Sequence, residues 1–148
     1  MNSAAIKISN TFCFLKRYGL QHFAIECFIR LHDSFSDWRF NVSTATSIKL
    51  FDMGIFVSNA NKDYVPISYS AIFSMLKRIP LEPYDISFLD YGSGKGRVLT
   101  VAASKPFCSV TGVEFAEKLF FISKTNISSM RNKKAKSINL HHIDAIEF

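Results

Sequence analysis

Between Phe88 and Leu99 the chain reads FLDYGSGKGRVL, and this stretch restricts the fold more than any other. An apolar run that stops at an aspartate, passes through three glycines on alternate positions and resumes as an apolar run has the form of strand, tight turn and helix. The alternation continues downstream. DISFLDYG predicts a strand over 86–91, and GRVLTVAASKP a helix from about Gly96 to Ser104, closed by Pro106. CSVTGVE predicts a strand over 108–114, AEKLFFISKTNISSM a helix, and SINLHHIDA a third strand over 137–143. Such a succession predicts an α/β chain with a parallel sheet. Its right-handed crossovers bring the strand ends to one rim, where sheets of this kind bind ligands.

Upstream, PISYSAIFSMLKRIPLEP sets Tyr69, Ile72, Phe73, Leu76 and Ile79 at helical spacing. Ser68 is placed to cap that helix, and Pro80 and Pro83 to stop it. Residues 1–63 read as a mainly helical or irregular N-terminal extension to a domain at 64–148. TFCFLKRYGLQHFAIECFIRLHD is expected to be helical, with Phe12, Leu15, Gly19, His22 and Glu26 on one face. Over 34–65 a loop or hairpin is expected, punctuated by Gly54, Asn59 and Asn61. Trp38 is read as a packing residue.

At 148 residues, with 48% hydrophobic and 20% charged, the chain can bury one core and has none of the marks of disorder. No apolar run approaches the ~18 residues of a membrane span. The start holds only Phe12–Leu15 as an apolar block, short of the ~7–15 residues of a signal-peptide core. A cytoplasmic protein without membrane attachment is the expectation. The three cysteines, Cys13, Cys27 and Cys108, are widely spaced, which argues against a disulfide framework or a zinc site. His141 and His142, adjacent on a strand, face opposite sides and cannot readily share a metal. A net charge of +6 permits an acidic partner without requiring one. RNKKAK, 131–136, has no interleaved aromatics and reads as a solvated turn.

The acids fall at telling positions. Asp90 lies near the end of the first strand, Glu114 ends the second and Asp144 follows the third. One such acid could be a helix cap; three in succession beside a glycine loop point to a ligand. A phosphate-binding loop of the form G-x-x-x-x-G-K-[ST] fails, because Leu89 stands where its first glycine is needed and Gly96 follows Lys95. A dinucleotide loop, G-x-G-x-x-G/A, meets Arg97 at its sixth position. Asp90 would also repel a phosphate. What remains is D-x-G-x-G-x-G, formed by Asp90, Gly92, Gly94 and Gly96.

With DYGSGKGR, GVEF and IDA in that order, the chain resembles the class I S-adenosylmethionine-dependent methyltransferases over about residues 64–148. The resemblance implies a Rossmann-like parallel sheet with strands ordered 3-2-1 and S-adenosylmethionine as cofactor. That cofactor carries a sulfonium and an ammonium, which Asp90 would attract by about 4 kcal/mol at ~4 Å and an effective dielectric of ~20. Gly92 and Gly94, with Ser93 and Gly96, would let the backbone approach it. Lys95 and the start of the following helix could meet its carboxylate. Glu114 would accept from both ribose hydroxyls. The resemblance also gives Asp144 the adenine amino group, the Ala145 N–H a ring nitrogen and Phe115 the ring face. Arg97 is either a ligand residue or the partner of a surface acid. Tyr64 and Tyr69 lie where such proteins close over their ligand, or in the core.

No catalytic residue can be named. In the family resembled, the next strand supplies the residues that meet the methyl acceptor, whether protein, nucleic acid or small molecule. That strand is expected to be missing here, leaving a fragment with little methyl transfer and an exposed Ile86–Asp90 edge open to self-association. The competing expectation is a non-catalytic binding or interaction domain that kept the loop.

Overall fold

A computed structural model describes residues 3–49, 64–79 and 85–148 of the chain. In chain order the elements are α1 (Ser3–Phe40), α2 (Tyr69–Leu76), β1 (Ser87–Tyr91), α3 (Arg97–Ala103), β2 (Ser109–Glu114), α4 (Glu117–Ser129) and β3 (Ser137–His142). The strands form one parallel sheet in the order β1-β2-β3, with Ser87 paired to Ser109 and Ser109 to Ser137. From Ser87 onward, each expected element forms within a residue or two of its expected bounds.

The register explains why the sheet has one covered face. Phe88, Val110 and Ile138 align in one row, and Asp90, Gly112 and Leu140 in another. Val110 is fully buried, and Phe88, Ile138 and Leu140 pack against the core. Helices α3 and α4 cover this apolar side, with Leu99 against Gly112 and Ile127 in the same core. The other side begins with the row Ser87, Ser109 and Ser137, where the Ser109 hydroxyl donates to Ser87 Oγ at 2.8 Å. Among the described residues, β1 has a strand on one side only.

Upstream of the sheet, Ser68 caps α2 by accepting from the Ala71 N–H at 3.3 Å, as expected. The helix ends at Leu76, ahead of the prolines; Pro80 and Pro83 lie outside the described residues, as do Gly54, Asn59 and Asn61. Two corrections concern the N-terminal segment. The helix runs past Asp33 to Phe40, and at Gly19 it breaks (φ 81°, ψ 166°), a conformation open to a residue without a Cβ. Its faces therefore do not run in register from Phe12 to Glu26. Trp38 is 69% exposed, and among the described residues its ring lies tilted against Phe35, because the buried face of this turn belongs to Asp33, Ser36, Asp37 and Phe40. Ile48 and Tyr64 then form an antiparallel bridge. Phe40 stacks on Tyr69 and joins the core with Ile72, Leu76 and Leu99, so the end of α1 is packed into the α/β unit.

Candidate functional site

The carboxyl ends of the three strands share a rim. Gly92, Gly94 and Gly96 all have positive φ, and the loop they form is tied to the end of β2. The Gly92 and Ser93 N–H groups both donate to Val113 O, at 2.9 and 3.0 Å. Gly94 N–H donates to Glu114 Oε2 at 2.7 Å, and Ala116 N–H to Oε1 at 2.8 Å. Glu114 is thus a buried clamp between the loop and the start of α4, with two of about four acceptor positions engaged. A Cβ on Gly94 would collide with the Tyr64 ring, and one on Gly96 with Ser123 Oγ. Those two positions require glycine for space as well as for φ.

Asp90 lies on the covered face beside Gly112. No described residue gives its carboxyl a hydrogen bond or an ion pair. Burial, and secondarily the Glu114 carboxylate, push its pKa up to about 6. Ser93 is buried, and its Oγ has no hydrogen-bond partner among the described residues. The rim therefore holds two adjacent acids, one unneutralised. Cations and hydroxyl donors are the groups it suits; a phosphate is not.

The remaining expected residues surround this centre unevenly. Phe115 is half exposed, and its carbonyl accepts from His142 Nε2 at 3.0 Å. Asp144 and Ala145 follow β3 on the surface, where Asp144 Oδ1 accepts from Ile146 N–H at 3.0 Å. Glu114 is level with His142 across the sheet, so Asp144 begins two residues beyond that row. Tyr64 lies over the glycine loop, half buried, its pKa pushed up to about 12 chiefly by burial. Tyr69 is core.

Two cations of the loop turn away from the rim. Lys95 is 3% exposed; its Nζ donates to Thr46 O at 2.6 Å and to Thr46 Oγ1 at 2.7 Å. Burial lowers its pKa. It does not stand ready for a ligand carboxylate. Arg97 is 2% exposed, with Nη1 on Asp33 Oδ2 at 2.5 Å and Nε donating to Thr44 Oγ1 at 2.7 Å. Of its two sequence readings, pairing with an acid is the one found, and the acid is buried. Thr44 N–H and Oγ1–H both donate to Asp37 at 2.6 Å, and Tyr69 OH donates to Asp37 Oδ1 at 2.7 Å. The supporting residues Asp33, Asp37, Thr44 and Thr46 were not singled out from sequence. Their one local signal is Asp33, Asp37 and Phe40 at helical spacing, a polar stripe on a face that proves to be buried.

Neither histidine of the 141–142 pair has a metal-binding neighbourhood; among the described residues no group of three His, Cys, Asp or Glu could hold a metal ion. His141 packs against Phe148 and His142 against Phe120, each at 5.0 Å between centroids. Among the described residues no helix is long and apolar enough to cross a membrane. RNKKAK is, as expected, an exposed turn between α4 and β3.

Parallel strands joined by helices and a glycine loop clamped by an acid at the end of the second strand define a Rossmann-like α/β unit. Solved structures share that architecture. One is a SAM-dependent methyltransferase from Thiobacillus denitrificans in complex with S-adenosyl-L-homocysteine, at TM-score 0.50 and 20% identity, over 67% of this chain and 38% of that one. Another, from Geobacter sulfurreducens and likewise a SAM-dependent methyltransferase in complex with S-adenosyl-L-homocysteine, matches at TM-score 0.48 and 23% identity. It covers 60% of this chain and 34% of that one. The chain thus spans less than two fifths of either. At this identity the first likeness establishes the Rossmann-like fold. No family model matches the chain, and neither does any curated protein.

Proposed function

We propose that the rim binds S-adenosylmethionine and that the chain is a methyltransferase or its cofactor-binding portion. The observation that carries the proposal is Asp90, a partly buried carboxyl whose pKa is raised to about 6 at the edge of a loop too acidic for phosphate. A sulfonium or an ammonium nearby would neutralise it. The Thiobacillus denitrificans structure that shares this fold supports the same reading, since it is described in complex with S-adenosyl-L-homocysteine.

The group supplies an electrophilic methyl on sulfur, open to in-line displacement by an acceptor. This chain's part is to hold and orient it. Asp90 would face its positive end, and the remaining acceptor capacity of Glu114 its ribose hydroxyls. Phe115, Asp144 and Ala145 would border the adenine. Positioning and exclusion of water, rather than a named base, would then account for rate enhancement. The acceptor, and any residue that touches it, stays unassigned.

Calorimetry with S-adenosylmethionine, S-adenosylhomocysteine and NAD tests the reading. The first two should bind and NAD should not; comparable affinity for NAD would sink it. Glu114→Ala should weaken binding by roughly 1.5–3 kcal/mol, the range for hydrogen bonds to a charged acceptor. The mutant's fold must be confirmed first, because Glu114 also clamps the loop.

A further inference from the structure

We infer that the outward face of α1 is an interface through which two copies of this chain associate. Beyond the break at Gly19 the helix continues to Phe40. Along it Ala24, Phe28, Leu31, Phe35 and Trp38 recur at spacings of four, three, four and three, the seam of paired helices. Phe28, Leu31, Phe35 and Trp38 are each more than half exposed, Leu31 to 71%. The Phe35 and Trp38 rings lie 5.6 Å apart, in contact at the C-terminal end of the seam. Scattered exposed apolar residues are ordinary, whereas a contiguous stripe marks an interaction surface.

The helix cannot turn to hide this stripe. A surface helix ordinarily buries its apolar face and leaves the polar one in water. In α1 the arrangement is reversed: Asp33 and Asp37 are buried, held by Arg97, Thr44 and Tyr69. Rotation would strip these acids of their partners. The stripe is therefore fixed outward by the same contacts that tie α1 to the domain.

Size and flanking chemistry point to a second copy. Large aromatic side chains bury about 150–250 Å² each. Four large side chains more than half exposed offer about 500 Å², so two copies would bury about 1,000 Å², the threshold of a specific interface. The positions flanking the seam include Cys27, His32, Ser34 and Arg39, with a single fixed charge to repel a twin. A membrane-surface helix instead turns a Lys- and Arg-rich face to water. Here the opposite face is acidic and lies inside its own domain.

Sedimentation of the 148-residue chain over a wide concentration range tests the inference, whatever the rim binds. A reversible dimer is expected, and Leu31→Glu should raise its dissociation constant by roughly 30-fold or more, as for loss of a central anchor. Because Leu31 is exposed, the thermal melt of the Leu31→Glu monomer should match that of the wild-type chain measured at a concentration where it too is monomeric. Leu89→Lys, on the open strand β1, should leave the dimer intact. A monomer at every concentration overturns the inference, including one that floats with phosphatidylcholine vesicles through Leu31. A dimer insensitive to Leu31→Glu, or one lost with Leu89→Lys, overturns it equally.

Discussion

Asp90 illustrates how a single side chain can work against the fold that holds it. Its folded pKa of about 6 exceeds the ordinary value of 3.8. Between roughly pH 4 and 6 the folded chain therefore holds this proton more tightly than the unfolded one. Its contribution to stability is full below that window and is lost as pH rises through it. A bound cation favours the ionised form, so affinity for S-adenosylmethionine should rise from pH 5 to 7 and then level off, with proton release in the lower half. Calorimetry in two buffers of different ionisation heat reads that release; affinity flat across the window would detach Asp90 from the ligand. Asp90→Asn should leave the chain as stable or up to ~1–2 kcal/mol more stable at pH 7, since two pKa units correspond to about 2.7 kcal/mol and the amide regains no partner. Binding should nonetheless weaken at least tenfold, if a charge contact worth more than ~1.4 kcal/mol is lost. At this scale the rim acids were legible because each stands at the end of a strand that periodicity reveals. The fates of Lys95 and Arg97 were not, because their partners Thr46 and Asp33 lie 49 and 64 residues away in sequence.

Among the elements, strands and helices from Ser68 onward could be read because local signals agree: a serine cap, period-two apolar runs and glycine or proline at the joints. Helix α1 defeated that logic because its buried stripe is polar and its apolar stripe faces water. Trp38, expected to pack, stands on that exposed stripe instead. The reversal becomes intelligible only with Arg97, at the start of α3, as the counter-charge. Removing one partner of a buried ion pair costs roughly 3–5 kcal/mol, much of it from the charge left behind. Arg97→Met should therefore destabilise the chain by about that amount, leaving the buried Asp33 without its guanidinium partner. Urea denaturation followed by circular dichroism measures it. A loss under ~1 kcal/mol would mean that α1 is held by apolar packing around Phe40 alone.

At the scale of the molecule, residues 33–48 form a strap between the extension and the sheet. Phe40 enters the core, Asp33 neutralises Arg97, Thr46 holds Lys95, and Arg131 N–H donates to Phe40 O at 2.9 Å. Division of the chain at residue 64, natural from the change in composition, cuts every one of these contacts. A chain beginning at residue 64 would expose the Phe40 pocket, strip Lys95 of its Thr46 acceptors and leave Arg97 with the Ile67 carbonyl in place of Asp33 and Thr44. Lost hydrogen bonds to charged groups cost roughly 1.5–3 kcal/mol each, against a total stability of about 5–15 kcal/mol for an ordinary domain. Residues 64–148 alone should accordingly be unfolded or aggregate, whereas residues 20–148, which keep the strap and omit only the helix up to and including Gly19, should fold. Amide dispersion in two-dimensional NMR separates the two outcomes. A well-dispersed spectrum from 64–148 would show that the glycine loop is held by Val113 and Glu114 without help, and that the strap is an addition to a complete unit.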